Sequence, residues 1–218
     1  MNRIIFILLQ IFAYSLSLAQ QSNNSSPDRR YDVKVVLKKI EAVKVDEGIK
    51  LGDNEEDLKG QVYLDRYKFG SKSGDFKADE KVFWEASFKH PEHIGVNSPK
   101  KIEKEILIVQ NITYNELISG VIVIDGQLRD DEFVVDGIGP AYECDCERNP
   151  SNSSDIERRI KLDYSKTVAS INKLEVGKGF SAVEFGDDKY FEMNFYEVNK
   201  DHQGSHIRFW FQLLIKVY

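Results

Sequence analysis

Residues 206–218 read His-Ile-Arg-Phe-Trp-Phe-Gln-Leu-Leu-Ile-Lys-Val-Tyr, and this stretch decides the fold class. Ile207, Phe209, Phe211, Leu213, Ile215 and Val217 fall on every second position, the period of a strand with one face in a core. Trp210 is out of phase with Phe209 and Phe211, so it points to the opposite face beside Leu214 and Tyr218. A strand this rich in Phe and Ile has to be paired and buried, because an open edge of that composition templates aggregation.

Working outward, the same alternation recurs. Phe191, Met193 and Phe195 alternate with Tyr190, Glu192 and Tyr196; Ile160, Leu162 and Tyr164 alternate with Arg159, Lys161 and Asp163. Val121 to Ile124 and Ile106 to Val109 are short apolar β-branched runs, as strands buried on both faces require. Val82 to Phe88 alternates, and Gln61 to Phe69 is a Tyr- and Phe-rich run bounded by Gly60 and Gly70. Near the start, Val33, Val35 and Leu37 alternate, then Ile40 and Ala42 resume in shifted phase after Lys38-Lys39. A one-residue phase shift of that kind predicts a β-bulge. One segment favours helix: Val168, Ile171 and Leu174 recur every three residues ahead of Gly177 and Gly179. No helical stretch of adequate length separates successive strands, which excludes a parallel βαβ architecture. The expectation is all-β: a single antiparallel β-sandwich of about eight strands over residues 31–218, with at most one short helix.

The front of the chain reads differently. Arg3 gives a positive start, Ile4 to Phe12 is apolar apart from Gln10, and Ser17-Leu18-Ala19 offers small residues where a signal peptidase cuts. Residues 1–19 are therefore expected to be a secretory signal peptide. Residues 20–30, Gln-Gln-Ser-Asn-Asn-Ser-Ser-Pro-Asp-Arg-Arg, are expected to form a polar leader that buries nothing. The expected location is outside the cell, on the exterior of the envelope or in the periplasm. The formal charge of −6 repels phosphate backbones and no basic cluster offsets it, so nucleic acid is not an expected partner. Cys144 and Cys146 are the two cysteines. Their one-residue spacing strains an internal disulfide, and two thiols fall short of the four ligands of a structural zinc site.

Carboxylates concentrate between the apolar runs. Asp46 to Asp57 contains Asp46, Glu47, Asp53, Glu55, Glu56 and Asp57, with Asn54, Gly48 and Gly52. A second group follows Ile124 with Asp125, Asp130, Asp131, Glu132 and Asp136, and a third is Gly186-Asp187-Asp188. Calcium takes six to eight oxygen ligands, so Asp46, Asp53, Glu55, Asp57, Asp125, Asp130, Asp131 and Asp136 are the candidate metal ligands, shared between loops at one end of the sandwich. The spacing of Asp53, Glu55 and Asp57 is not an EF-hand, because Leu58 and Leu64 stand where that loop needs Gly and Glu. The stretch Asp125-Gly-Gln-Leu-Arg-Asp-Asp131 resembles the aspartate-bearing loops of C2-type β-sandwich domains. Glu55-Glu-Asp-Leu-Lys-Gly60 is similar to segments of β-domains appended to secreted bacterial cytolysins. These resemblances imply calcium as a cofactor and metal-dependent attachment to a surface.

Two histidine pairs, His90 with His93 and His202 with His206, are weaker metal candidates because neither has a third ligand nearby in sequence. There is no G-x-S-x-G elbow, no glycine-rich phosphate loop and no H-E-x-x-H. The functional expectation is a secreted, non-enzymatic binding or attachment module for a surface ligand: protein, glycan or membrane. Trp84, Trp210 and the tyrosines are candidates to stack on sugars or line a binding face. An extracellular hydrolase using a carboxylate pair, or a structural envelope component, are the alternatives.

Overall fold

The computed structural model describes residues 28–45, 55–87, 89–130, 141–144, 157–185, 188–197 and 204–218. Along the chain run β1 (Tyr31–Lys44), β2 (Glu55–Phe69), β3 (Lys72–Asp75), β4 (Val82–Ala86), β5 (Glu92–Gly95) and β6 (Lys100–Ile112). Then come α1 (Tyr114–Ile118), β7 (Val121–Asp130), β8 (Ala141–Cys144), β9 (Glu157–Lys161), α2 (Ser165–Asn172), β10 (Ser181–Ala182), β11 (Phe191–Glu197) and β12 (His206–Val217). Each ladder between these strands is antiparallel.

The strands form two layers, each built on one long strand. In the first, β2 has β7 along one edge, with β5, β4 and β3 in succession along the other. In the second, β12 has β1 along one edge, with β11 and then β10 along the other, and β6 covers the outer edge of β1. β8 pairs with both β7 and β11 and joins the layers along one side. The final strand is therefore paired on both edges, as its composition requires.

The inward side chains interdigitate between the layers. Phe83 and Trp84 of β4 meet Phe211 and Phe209 of β12 edge-on, at centroid distances of 5.2 and 5.5 Å. Phe195 of β11 meets Phe209 edge-on at 5.5 Å, and Phe191 stacks on Phe211 at 5.3 Å. Edge-on and offset contacts of this kind add to what burial alone contributes. Val33, Val35, Leu37, Leu58, Val62, Leu64 and Ile122 complete the core.

The architecture is the all-β sandwich that the alternation predicts. The strand total is twelve among the described residues, because β3, β5, β8 and β10 have four residues or fewer. Segments that short carry too little periodicity to register in the sequence. There are two short helices where one was expected. α2 covers the Val168–Ile171 repeat, while α1 is a single turn held by a capping box. Glu116 N–H donates to the Thr113 hydroxyl at 3.3 Å, and Thr113 N–H donates to the Glu116 carboxylate at 2.7 Å.

Two segments expected to be loops are strand. β2 begins at Glu55, so Glu55 and Asp57 pair with β5 instead of lying in a turn. β7 continues to Asp130, so Asp125 and Asp130 are strand positions as well. Two glycines that resemble turn residues are instead inside the sheet. At Gly60, φ is +123° and a Cβ would collide with the carbonyl oxygen of Gln127 on β7. At Gly126 a Cβ would sit 2.9 Å from the Phe195 ring, so the missing side chain makes room for a core aromatic.

Candidate functional site

The bulge in β1 organises the outer face of the second layer. Leu37 and Ile40 are both fully buried, and two residues, Lys38 and Lys39, separate them. The ladder with β12 shifts register at this point, so that Leu37 lies opposite Phe211 and Lys39 opposite Trp210. Both lysines are thereby turned to the outer face, which a regular strand could not do with consecutive residues. On the other flank, Glu103 of β6 has φ of 58°, a left-handed conformation uncommon for a residue with a Cβ. Strained backbone of this kind is concentrated where a surface is shaped for a ligand.

Trp210 occupies the centre of this face. Its indole Nε1–H donates to Glu41 Oε2 at 2.7 Å, and the Lys39 ammonium donates to the same oxygen at 2.9 Å. The Lys39 ammonium lies 4.9 Å from the indole centroid, and the Arg208 guanidinium lies 5.2 Å from it. Tyr190, just before β11, is 40% exposed and meets Trp210 edge-on at 6.2 Å. Burial acts to raise the Glu41 carboxyl, but hydrogen bonds from Lys39 and Trp210, with the charges of Lys39 and Arg208, hold it below its ordinary value.

Two concavities meet at the Tyr190–Trp210 pair. The first, about 500 Å³, lies toward β1 and β6 and is bounded by Lys38, Lys39, Pro99, Lys101 and Glu103. The second, about 300 Å³, lies toward β11 and is bounded by Arg158, Tyr164, Phe185, Asp188 and Glu192. Both fall in the size range of small-ligand sites. The charges differ between them. Three lysines face Glu103 in the first, where Lys38 donates to Glu103 and holds that carboxyl below its ordinary value. In the second, Arg158 faces Asp188 and Glu192, and Glu192 is paired with Arg208 at 3.0 Å.

The polar row continues along the face. Asn194 Oδ1 accepts from Arg208 Nε at 3.0 Å and lies 2.8 Å from His206 Nε2. His206 stacks on Tyr196 at 4.4 Å. A third concavity of about 510 Å³ lies over β4, β2 and β7, bounded by Lys59, Gln61, Glu85, Gln127 and Arg129; among the described residues no aromatic side chain lines it.

The expected calcium ligands divide into three groups. Asp46, Asp53, Asp131 and Asp136 lie outside the described residues, as do His202 and Cys146. Glu55 and Asp130 are placed as strand residues, Glu55 opposite Gly95 and Asp130 opposite Leu58. The carboxylates of the remaining two have protein partners. Asp57 pairs with His93, and Asp125 accepts from the Tyr63 hydroxyl at 2.8 Å and from Gly126 N–H at 2.7 Å.

Register separates these two carboxylates. Leu58 lies opposite Asp130, which puts Asp57 at the Asp130 end of the sheet. Asp125 lies opposite Tyr63, six strand positions from Asp57 and roughly 20 Å away at the usual strand rise, too far to share one ion with Asp57. Asp188, from the third acidic group, precedes Phe191 and so lies at the opposite end of β11 from Glu197, the end that β8 ties to Leu128. Among the described residues no group of three or more His, Cys, Asp or Glu is placed to hold a metal ion. No helix among them is long and apolar enough to cross a membrane.

Trp84 is a core residue and Trp210 an outer-face residue, so the two tryptophans have different roles. Tyr190 falls among the tyrosines expected to line a binding face, whereas Lys101, Arg158 and Glu192 are not among the candidate residues of the sequence. The usable signal was the Lys38-Lys39 phase shift, because a bulge that turns two neighbours outward enriches one face. Comparison with known proteins finds no matching family model, no matching curated protein and no matching solved structure.

Proposed function

We propose that the protein is a non-enzymatic binding module that acts outside the cell and holds a carbohydrate chain across the outer face of β11, β12, β1 and β6. The observation that carries this reading is the pair of concavities joined at Tyr190 and Trp210. A sugar ring presents apolar C–H faces and a rim of hydroxyls. Aromatic side chains cover the first, and charged side chains such as Glu192, Asp188 and Lys101 hydrogen-bond the second at more than neutral strength. Volumes of about 500 and 300 Å³ suit successive rings of an oligosaccharide better than the flat contact of two folded proteins.

The test is a titration of intrinsic fluorescence with soluble β-glucan, xylan, mannan and uronan oligosaccharides. Trp84 is buried in the core, so Trp210 is the emitter a surface ligand perturbs. Binding of at least one oligosaccharide, lost by calorimetry in Trp210→Ala with an unchanged far-ultraviolet spectrum, is the expected result. No response to any of them removes the carbohydrate reading.

A second proposal, independent of the first, is a calcium ion at the Asp57–Asp130 end. The observation favouring it is the register that pairs Leu58 with Asp130 and so places Asp57 one position from that pair, at one end of β2 and β7. Asp125 and Asp188 take no part. Calcium should raise the melting temperature relative to chelator; identical temperatures would remove the metal.

A further inference from the structure

We infer that the carbohydrate held on the outer face carries carboxylates, so that the ligand is a uronic-acid-containing oligosaccharide lying with acid groups at both ends of the aromatic pair. This rests on the reading of that face as a carbohydrate site and names the substrate class. The first support is charge. In a chain of formal charge −6, the first concavity gathers Lys38, Lys39 and Lys101 against Glu103. Lys39 is committed to Glu41 and the indole, but Lys101 is 77% exposed and 3.6 Å from its nearest carboxylate. Its ammonium is placed to accept a ligand anion at small desolvation cost.

The second support lies across Trp210. Arg158, from β9, lines the second concavity, and its buried Nε makes no hydrogen bond among the described residues. The guanidinium is therefore not gripped side-on by a protein carboxylate, the arrangement that normally satisfies a half-buried arginine. Its Nε edge is closed to solvent, so a ligand carboxylate would meet the guanidinium from the cavity side, beside Asp188 and Glu192. A basic group on each side of a central aromatic pair matches a polymer with one acid group per ring. A neutral glycan would leave Arg158 without a charged acceptor and Lys101 with only its long contact to Glu103.

The experiment compares oligouronates, the same oligosaccharides after carboxyl reduction, and sulfated dextran oligosaccharides, at low and high salt, read by Trp210 emission and calorimetry. The expected result is binding of the acid form about tenfold or more tighter than the reduced form, the effect of losing one charge-assisted hydrogen bond. Lys101→Gln and Arg158→Gln should each weaken the acid form more than the reduced form and so narrow that gap. Their melting temperatures provide the control for folding. Equal affinity for acid and reduced forms would overturn the inference while leaving the carbohydrate reading intact. Absence of binding by any oligosaccharide would overturn both. Sulfated dextran binding more tightly than the uronates, with an affinity that collapses at high salt, would mark a general polyanion surface and overturn the carboxylate assignment.

Discussion

Phe209 and Trp210 are neighbours in β12, yet they report on opposite sides of the protein. Phe209 is fully buried and meets Trp84 and Phe195. Trp210 is turned outward, its ring beside Lys39, Arg208 and Tyr190 and its N–H on Glu41. Both are large aromatic side chains of similar hydrophobic value. The strand's two-residue period assigns one to packing and the other to a charged surface, so residue type alone says nothing about role. The inner side is apolar from Ile207 to Val217, whereas the outer side carries His206, Arg208, Gln212 and Lys216.

The most direct way to break this contrast is to truncate each ring. Phe209→Ala should cost about 3–5 kcal/mol, the range for deleting a buried aromatic, read from denaturant unfolding. Its effect on carbohydrate affinity should be no more than the loss of folded protein. Trp210→Ala should cost about 1 kcal/mol, since its contacts are partly solvated, but should abolish carbohydrate binding measured by calorimetry. Equal destabilisation by the two would mean that the outer ring is core in all but position.

A backbone change gives the next largest effect and sharpens the comparison in the other layer. Gly60→Ala has to place a Cβ against the Gln127 carbonyl at φ +123°, and strain plus overpacking should cost roughly 2–4 kcal/mol. The melting temperature should fall accordingly while the outer face of β12 still binds. Loss of binding in a protein that remains folded would mean that the two layers are coupled.

How legible these positions were in the sequence depends on whether a local pattern is also a tertiary one. The β12 alternation, the β1 phase shift and the α2 repeat could be read because each records which side of its own element is buried. Gly60 and Gly126 resembled turn glycines, since nothing near them in sequence reveals that β7 or the Phe195 ring presses on them from outside. For the same reason Glu55 to Asp57 resembled a loop. They are strand because β5 supplies their hydrogen bonds, and β5 lies more than thirty residues away. The candidate site was legible only in part. Trp210's outward direction follows from period, but its meeting with Tyr190 and its sharing of concavities with Lys38 and Arg158 depend on strand order, which no window of sequence contains.

A smaller effect is expected where a single charge is buried beside the chain's last residue. Asp32 is 3% exposed and accepts from Asn111 N–H at 2.9 Å and from the Tyr218 hydroxyl. Asp32→Ala leaves that backbone donor without an acceptor and should cost about 1–3 kcal/mol. Asp32→Asn, which keeps an oxygen in place, should cost less. If the two variants melt together, the hydrogen bonds contribute nothing and only the side chain's volume matters.

The smallest expected effect is a pH dependence that the inner face of β12 cannot have. Glu41 is held below its ordinary value of 4.5 against the opposing effect of burial, through Lys39 and Trp210. A carboxyl with a depressed folded-state value binds fewer protons folded than unfolded. Its contribution is therefore complete above about 4.5 and is lost as the pH falls through the lower folded value. The stability difference between the wild type and Glu41→Gln should be constant at neutral pH and shrink in acid. Because Trp210 supplies one of the two hydrogen bonds, Trp210→Phe should move the Glu41 carboxyl titration, followed by carbon-13 shifts, upward toward its ordinary value. Phe209→Leu, one residue along, should leave that titration where it is. A Glu41 titration that ignores Trp210→Phe would place the depression on Lys39 and Arg208 alone, and the indole N–H would then be available to a ligand hydroxyl.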